Sequence, residues 1–287
     1  MRGVRLARPP LATESTQETC HDTQEAVRAC QVKGGVDQIK IYATGALRHV
    51  DRETLEPLAQ MSLEDVQAIV AEARRWRRDV AAHAYGGEGA YNAVMGGARS
   101  IEHGMMLDER IIDAMVEKSV FWCPTLSVYM PEAGLSSDDP EFERRIIERH
   151  RRSFQAAMKA GVKIVFGTDV GAFAHGTGAR EFGYMVDDGM SPIEAIRSAT
   201  TRAAELIRME DRVGTLAPGA YADLIAVEGN PLEDISTLGR VRWVMKGGRV
   251  TGDQIMPTEG PRKGHETMNH RQSARRRHCG RWRRITR

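Results

Sequence analysis

Two short stretches, residues 80–86 (VAAHAYG) and residues 100–104 (SIEHG), decide the fold class of this chain. Each is an apolar run with a histidine near its end, and a Gly- and Ala-rich segment of helical length separates them. Continuous apolar runs are typical of strands buried in a parallel sheet. In α/β barrels the functional side chains lie where such strands end. We therefore expect His83 and His103 to face one point in space.

The same alternation continues on both sides of these stretches. Strands are predicted near residues 39, 80, 100, 120 and 163, and helices at residues 88–96, 108–118 and 141–160. Ser62 followed by Asp65 resembles a capping box and predicts the start of a further helix. Strands that alternate with helices predict right-handed βαβ units and a parallel sheet. The predicted fold class is α/β.

The two ends of the chain lack this alternation. Residues 1–21 show no clear periodicity and are predicted to be an irregular N-terminus, whereas residues 22–210 carry the alternating pattern. Residues 211–250 contain two further apolar runs, which predict a small β appendage. Residues 251–287 are predicted to form a disordered basic tail.

Composition excludes several classes of protein. The chain of 287 residues is 41% hydrophobic and 28% charged, which is typical of a globular protein. No apolar run approaches the ~20 residues that span a bilayer, and the start lacks the apolar segment of a secretory signal. The four cysteines show neither metal-type spacing nor a disulfide framework. We expect a cytoplasmic protein without membrane association.

The net charge of +2 is unevenly distributed. Residues 271–287 carry eight arginines and no acid, so residues 1–270 carry −6. Such a tail, with Trp282 inside it, has the chemistry to bind nucleic acid by counterion release. It lies beyond the last motif, however, so we expect an incidental extension and no nucleic-acid partner.

Four polar residues lie within or at the ends of the predicted strands: Lys40, His83, His103 and Asp169. Each alone has a structural explanation, as a solvated lysine, a packed histidine or a helix cap. Together, on different strands of one sheet, they indicate a shared site. Neutral imidazoles and a carboxylate suit zinc, which lowers the pKa of a bound water toward ~7, and Asp169 could accept the proton.

At this point the residues resemble a known family. The ordered motifs around Lys40 (IKIYATG), His83 (HAYG), His103 (SIEHG) and Asp169 (GTD), with PTL at residues 124–126 and GTLAPG at residues 214–219, resemble the amidohydrolase superfamily. The prolidase-like and imidazolonepropionase-like hydrolases are the branches most similar to it. The resemblance implies a distorted (β/α)8 TIM barrel with a small β domain.

The resemblance also implies a role for each site residue. Lys40 would be a carboxylated lysine that bridges metals, because its ammonium form would repel a cation. His83 and His103 would be ligands of one metal, and Asp169 would be both a ligand and the catalytic general base. The implied cofactor is a divalent metal, with zinc expected, as one or two ions.

The sequence departs from the family pattern at its start. The family has a His-x-His pair on its first barrel strand, and this chain contains none. By resemblance Lys40 lies on barrel strand 4 and Asp169 on strand 8, so we expect a partial barrel of about strands 4–8, with strands 1 to 3 absent. Uncovered sheet edges favour association, which leaves a homo-oligomer open.

Three further residues are candidates for substrate binding. Tyr85 and Tyr129 follow site-bearing strands and could contact a substrate carbonyl or carboxylate, although simple packing explains them equally well. His175 lies in a loop after Asp169 and could line the same pocket. The segment GGEG at residues 86–89 fits neither phosphate-binding fingerprint and is predicted to be a turn.

Two functions follow from these observations. The first is a metal-dependent hydrolase of C–N bonds that uses metal-activated water, a dipeptidase-like enzyme acting on a small-molecule or dipeptide-like substrate such as an Xaa-Pro dipeptide. The alternative is a catalytically impaired, truncated amidohydrolase remnant that lacks the first metal site.

Overall fold

A six-stranded sheet forms the centre of the computed structural model. Its strands pair in sequence order: β1 (Gly3–Leu6), β2 (Gln38–Tyr42), β3 (Asp79–Gly86), β4 (Ser100–Met106), β5 (Phe121–Cys123) and β6 (Lys163–Ile164). All five pairings are parallel. The structure describes residues 3–6, 24–28, 35–131, 139–171 and 173–253. The α/β class predicted from the alternation is confirmed.

Helices connect most of the strands. The helices are α1 (Leu63–Arg75), α2 (Gly87–Gly96), α3 (Glu109–Glu117), α4 (Pro140–Ala160), α5 (Arg180–Asp187), α6 (Pro192–Ala199) and α7 (Thr201–Leu206); residues 24–28 are also helical. The predicted capping box is confirmed, because the Ser62 side chain accepts from the Asp65 N–H while Asp65 accepts from the Ser62 N–H.

Helix α4 shows why some boundaries were predictable. Asp139 accepts a hydrogen bond from the Phe142 N–H at 3.0 Å, and Pro140 occupies the first turn, where its missing N–H costs nothing. Gly161 ends the helix in the left-handed conformation, at φ 85°. The helix therefore starts and stops where the residue types predict.

The sheet buries its apolar side chains against the helices. In β2 the side chains of Ile39 and Ile41 are fully buried, while Gln38, Lys40 and Tyr42 are only partly covered. Burial of an isoleucine side chain contributes about 1.5–3 kcal/mol. The alternation therefore anchors one face of β2 in the core and directs Lys40 to the opposite face, where the candidate site lies.

A second sheet holds the end of the described chain. It is antiparallel and consists of β7 (Leu224–Val227), β8 (Val241–Lys246) and β9 (Arg249–Asp253). The prediction of disorder from residue 251 onward is therefore wrong for residues 251–253. The remainder of the basic tail lies outside the described residues. Among the described helices, none is both long and apolar enough to cross a membrane.

The first strand corrects two expectations. Residues 3–6 form β1 and pair with residues 38–41 of β2, so the prediction of an irregular segment is wrong there. The resemblance also implied that no strand precedes the one carrying Lys40, and β1 contradicts this. Four residues are too few to show a periodicity, and their pairing depends on a strand more than thirty positions away.

The strands predicted near residues 120 and 163 are short, for local reasons. Strand β5 stops at Cys123 because Pro124 has no N–H for the ladder and Thr125 adopts a left-handed backbone at φ 51°. Strand β6 stops at Ile164, and the Phe166 N–H turns away to the carbonyl of Ser198, at the end of α6. The segment that leads to Asp169 is therefore a loop.

Candidate active site

His83 and His103 meet at the carboxyl ends of β3 and β4. Their ring centroids lie 4.6 Å apart at an interplanar angle of 66°. Both side chains are buried, with 7% and 5% of their surface exposed. The predicted convergence of these two histidines is therefore present in the structure.

The position of His103 depends on a break in the strand. His83 pairs with Glu102, and Ala84 pairs with His103, so regular alternation would place the two histidines on opposite faces. The register shifts immediately afterwards, and His103 has a left-handed backbone at φ 77°. This irregularity turns the His103 side chain toward His83.

Buried donors hold the His103 backbone in this conformation. The indole N–H of Trp122 donates to the His103 carbonyl at 3.0 Å, and the imidazole of His150 hydrogen-bonds to the same carbonyl. Burial nevertheless lowers the pKa of His150 to about 3, so the ring is neutral. The next residue, Gly104, also has a positive φ, and a Cβ there would lie 2.3 Å from Trp122 Nε1.

Each histidine ring has a hydrogen-bond partner of its own. His103 Nδ1 lies 2.8 Å from the hydroxyl of Thr125, and His83 Nε2 lies 3.3 Å from the carbonyl of Gly45. A carbonyl can only accept, so His83 Nε2 is the donor in this contact. Such contacts orient imidazoles that bind metals.

Two tyrosines lie beside the histidine pair. The Tyr85 ring is 4.7 Å from His83, and the Tyr129 ring is 5.9 Å from His103. The Tyr129 hydroxyl donates to the Tyr85 hydroxyl at 3.4 Å. Burial raises the pKa of both phenols, and the charge of Asp169 raises them further. Asp169 therefore lies within electrostatic reach of both tyrosines.

Lys40 lies on the same face of the sheet as His83. Tyr42 pairs with His83 and contacts its ring at 4.7 Å, and Lys40 precedes Tyr42 by two residues, which is one repeat of a strand. Lys40, Glu102 and Cys123 are among the residues that line a cavity of about 330 Å³, whereas neither histidine lines it. The charge of Lys40 opposes the rise in the pKa of Cys123 that burial causes.

The remaining candidates lie in the loop after β6. Asp169 is exposed and has a left-handed backbone at φ 48°. His175 is also exposed, between Asp169 and α5. Within the described part of the chain, the ring contacts that join His83, His103, Tyr85 and Tyr129 do not extend to His175. Its role as a pocket residue stays a prediction.

The site fits a divalent metal in part. Two buried imidazoles with oriented rings are suitable zinc ligands. Within the described ranges, however, no three His, Cys, Asp or Glu side chains converge as a ready ligand set. The resemblance implies that Lys40, on the same face as His83, would be a further ligand after carboxylation. The complete set of Lys40, His83, His103 and Asp169 stays a prediction.

The residues that support the histidines were not predicted. Trp122, Thr125 and His150 come from three separate parts of the chain. Thr125 lies in the PTL motif at residues 124–126, but no role was predicted for it, and no motif contains Trp122 or His150. Glu181 in α5 is completely buried, and it accepts hydrogen bonds from the segment that contains Tyr129. A signal did exist for this residue, because it lies on the apolar face of an amphipathic helix.

The sequence of this chain matches one protein family and several of its members. The model of the amidohydrolase family matches residues 3–251. Ochratoxinase of Aspergillus niger is 35% identical over 239 residues, which is 80% of this chain and 49% of that protein. Imidazolonepropionase of Streptomyces coelicolor is 32% identical over 147 residues, covering 50% of this chain and 33% of that protein. The chain spans about half the length of ochratoxinase and less of the other relative.

Two solved structures are similar to most of this chain. The crystal structure of an Xaa-Pro dipeptidase with methionine bound in its active site superposes with a TM-score of 0.72 at 38% identity, and the match covers 81% of this chain and 58% of that one. A putative prolidase from Bifidobacterium longum superposes with a TM-score of 0.74 at 29% identity, covering 86% and 65% of the two chains.

Proposed function

Because this chain belongs to the amidohydrolase family, we propose that it is a metal-dependent hydrolase of C–N bonds whose site is built around His83 and His103. The observation that carries the proposal is the contact between these two imidazoles at the ends of adjacent parallel strands. We also propose that the six-stranded sheet represents part of a (β/α)8 barrel, as the resemblance implies.

The proposal gives each site residue a role. His83 through Nδ1, His103 through Nε2 and a carboxylated Lys40 would hold a divalent metal, with zinc expected as one or two ions. A bound zinc ion supplies an activated water and polarises the substrate carbonyl. Asp169 would bind the metal, accept a proton on its carboxylate and pass it to the leaving nitrogen.

The proposed substrates are small amides of amino acids. The relatives named an Xaa-Pro dipeptidase and an ochratoxinase support this class. Tyr85 and Tyr129 would bind a carbonyl or carboxylate of the substrate, because their hydroxyl groups adjoin the histidine pair. We therefore propose an Xaa-Pro dipeptide as the first compound to assay.

The decisive experiment measures metal and activity together. Purified full-length chain, loaded with zinc and bicarbonate, is analysed for metal content and assayed on a panel of Xaa-Pro dipeptides. Lys40→Ala and Asp169→Asn should each abolish hydrolysis. The matched controls Lys159→Ala and Asp113→Asn change exposed side chains on helices and should retain full activity. Undiminished hydrolysis by Lys40→Ala or Asp169→Asn would refute the assignment.

An impaired remnant is the second candidate. The observation in its favour is that the described residues hold only two converging imidazoles and no third ligand of the usual types. Under this alternative the purified chain contains no stoichiometric metal and cleaves none of the dipeptides, although His83 and His103 keep their positions. Metal analysis by itself separates the two candidates.

The remaining expectations concern partners and location. We propose that the chain binds a small molecule and not nucleic acid, and that it associates as a homo-oligomer. Light scattering after size-exclusion chromatography tests the association. The cytoplasmic location stays a prediction.

A further inference from the structure

Glu181 is a carboxyl group that the proposed chemistry does not use, yet it is completely buried. It lies in the first turn of α5. Its Oε1 accepts from the Leu126 N–H at 2.8 Å, and its Oε2 accepts from the Ser127 N–H at 2.7 Å and the Ser127 hydroxyl at 2.5 Å. Burying a carboxyl group costs stability unless hydrogen-bond partners compensate. These three donors provide that compensation, so the role of Glu181 depends on the segment to which they belong.

The donors belong to a short segment that needs support. Thr125 has a left-handed backbone, and a single 3₁₀ turn, Leu126–Tyr129, follows it. We call residues 125–129 the threonine turn. The first N–H groups of any helix lack partners within it, and one 3₁₀ turn has little stability of its own. Glu181 supplies the missing acceptors from a helix more than fifty residues away.

The threonine turn carries two groups that contact the site. The Thr125 hydroxyl lies 2.8 Å from His103 Nδ1, and it also hydrogen-bonds to the Tyr129 phenol, which lowers the pKa of that phenol. Tyr129 in turn donates to Tyr85. The hydroxyl groups of Thr125, Tyr129 and Tyr85 therefore form one chain that begins at His103.

The contact between Thr125 and His103 favours one position for the imidazole proton. A hydroxyl oxygen can accept a hydrogen bond, so the Thr125 hydroxyl is placed 2.8 Å from His103 Nδ1 where it can accept from an Nδ1–H group. In that arrangement the imidazole proton lies on Nδ1. The lone pair of the neutral ring is left on Nε2, as a metal ligand requires.

We infer that Glu181 is a positioning residue, which holds the threonine turn against β4 and thereby keeps His103 in the tautomer with its proton on Nδ1. Asp188 provides the natural comparison. It is a second buried acid at the opposite end of α5, but it pairs with Arg151 at 2.6 Å and not with the threonine turn. The inference rests on the proposed function only where it treats Nε2 as a metal ligand.

The test reads the tautomer directly in the metal-free protein. Full-length chain labelled with ¹⁵N at histidine is compared with Glu181→Gln, Thr125→Val, Thr125→Ser and the control Asp188→Asn. We expect the Nδ1–H form in the parent chain and a mixture of tautomers in Glu181→Gln and Thr125→Val. Thr125→Ser keeps the hydroxyl and should restore the parent spectrum. Asp188→Asn should leave the spectrum unchanged even where it lowers the melting temperature.

Zinc affinity gives a second readout. Loss of the group that orients a ligating histidine weakens metal binding about 10- to 100-fold. The zinc affinity of Glu181→Gln and of Thr125→Val should therefore be lower than that of the parent by a factor in this range. The zinc affinity of Asp188→Asn should lie within twofold of the parent value. A parent tautomer ratio in Glu181→Gln would overturn the inference. If that variant does not fold, Ser127→Ala removes one of the three donors, and an unchanged spectrum there overturns it equally.

The two proposals fail in different ways. A chain that binds no zinc and cleaves no amide contradicts the proposed function. The imidazole spectra of the metal-free protein still decide the role of Glu181 in that case.

Discussion

His83 and His103 face each other at 4.6 Å although the pairing of β3 with β4 would place them on opposite sides of the sheet. The left-handed backbone conformation of His103 turns its side chain toward His83 and so brings the two rings into contact. Such a conformation costs a non-glycine residue roughly 1–2 kcal/mol. The surrounding structure must supply that energy, and the Trp122 indole, which donates to the His103 carbonyl, is its main support.

Gly104→Ala should disrupt this support. The new Cβ would lie 2.3 Å from Trp122 Nε1, and the alanine backbone would have to keep the positive φ of Gly104. We therefore expect a loss of roughly 2–4 kcal/mol in the free energy of unfolding. Gly161→Ala is the control, because its φ is also positive but nothing lies within 4 Å; it should cost about 1 kcal/mol. Urea unfolding measures both, and equal losses would show that the contact with Trp122 is unimportant.

Trp122→Phe removes the indole donor while keeping a large aromatic ring. The His103 carbonyl then loses one of two donors in a buried setting, and we expect a destabilisation of roughly 1–3 kcal/mol. Trp76→Phe is matched to it, because Trp76 also donates its indole N–H, to Glu72 at 3.0 Å, but is 40% exposed. It should cost less than about 1 kcal/mol. A larger loss for Trp76→Phe would contradict this account.

Glu181 should make stability fall as pH rises. Burial raises its pKa from 4.5 in the unfolded chain to about 7 in the fold. Between these values the folded chain holds a proton that the unfolded chain has released. The contribution of Glu181 is therefore fully present below pH 4.5 and lost as pH rises through 7, by about 3 kcal/mol at 1.36 kcal/mol per unit.

A second buried group titrates in the opposite sense. The pKa of His150 is lowered from 6.5 to about 3, so its contribution grows as pH rises from 3 to 6.5. The measurement is consequently a difference, the pH dependence of unfolding free energy in the parent minus that in Glu181→Gln. Glu64→Gln, an exposed change on α1, is the control. A difference that does not vary between pH 4.5 and 7 would contradict the assignment.

Cys123 should be unreactive in the folded protein. It is 8% exposed, and burial raises the pKa of its thiol well above the usual value. The thiolate is the reactive form, so alkylation by iodoacetamide at pH 8 should be at least about 100-fold slower in buffer than in urea. Peptide mapping of the alkylated chain measures the rate at this position. Equal rates in buffer and urea would show that the thiol is accessible.

The sequence predicted those features that depend on neighbouring residues. The limits of α4 follow from Asp139, Pro140 and Gly161, and the parallel sheet follows from apolar runs separated by helices. The placement of His83 and His103 at one end of the sheet also follows, because each stands near the end of such a run. These elements are encoded within a few positions of the chain.

The features that escaped prediction depend on distant partners. A strict alternation in β4 puts His103 on the wrong face, and only the packing of Trp122 and Gly104 reveals the break. Thr125, whose hydroxyl contacts the His103 ring, is 22 residues from His103. Glu181, which accepts from the Leu126 N–H and so supports the segment of Thr125, is 55 residues from Leu126. Pairings over such separations leave no periodic pattern, so the sequence could indicate which residues carry chemistry but not what orients them.

The hydrogen bond between Trp122 and His103 also makes the site observable without a label. Trp122 is fully buried, and its N–H points at the backbone of a candidate ligand. The proton resonance of that indole is consequently a built-in sensor, which should shift when zinc or a substrate occupies the site. Titrations could then follow binding in a variant that has lost all turnover.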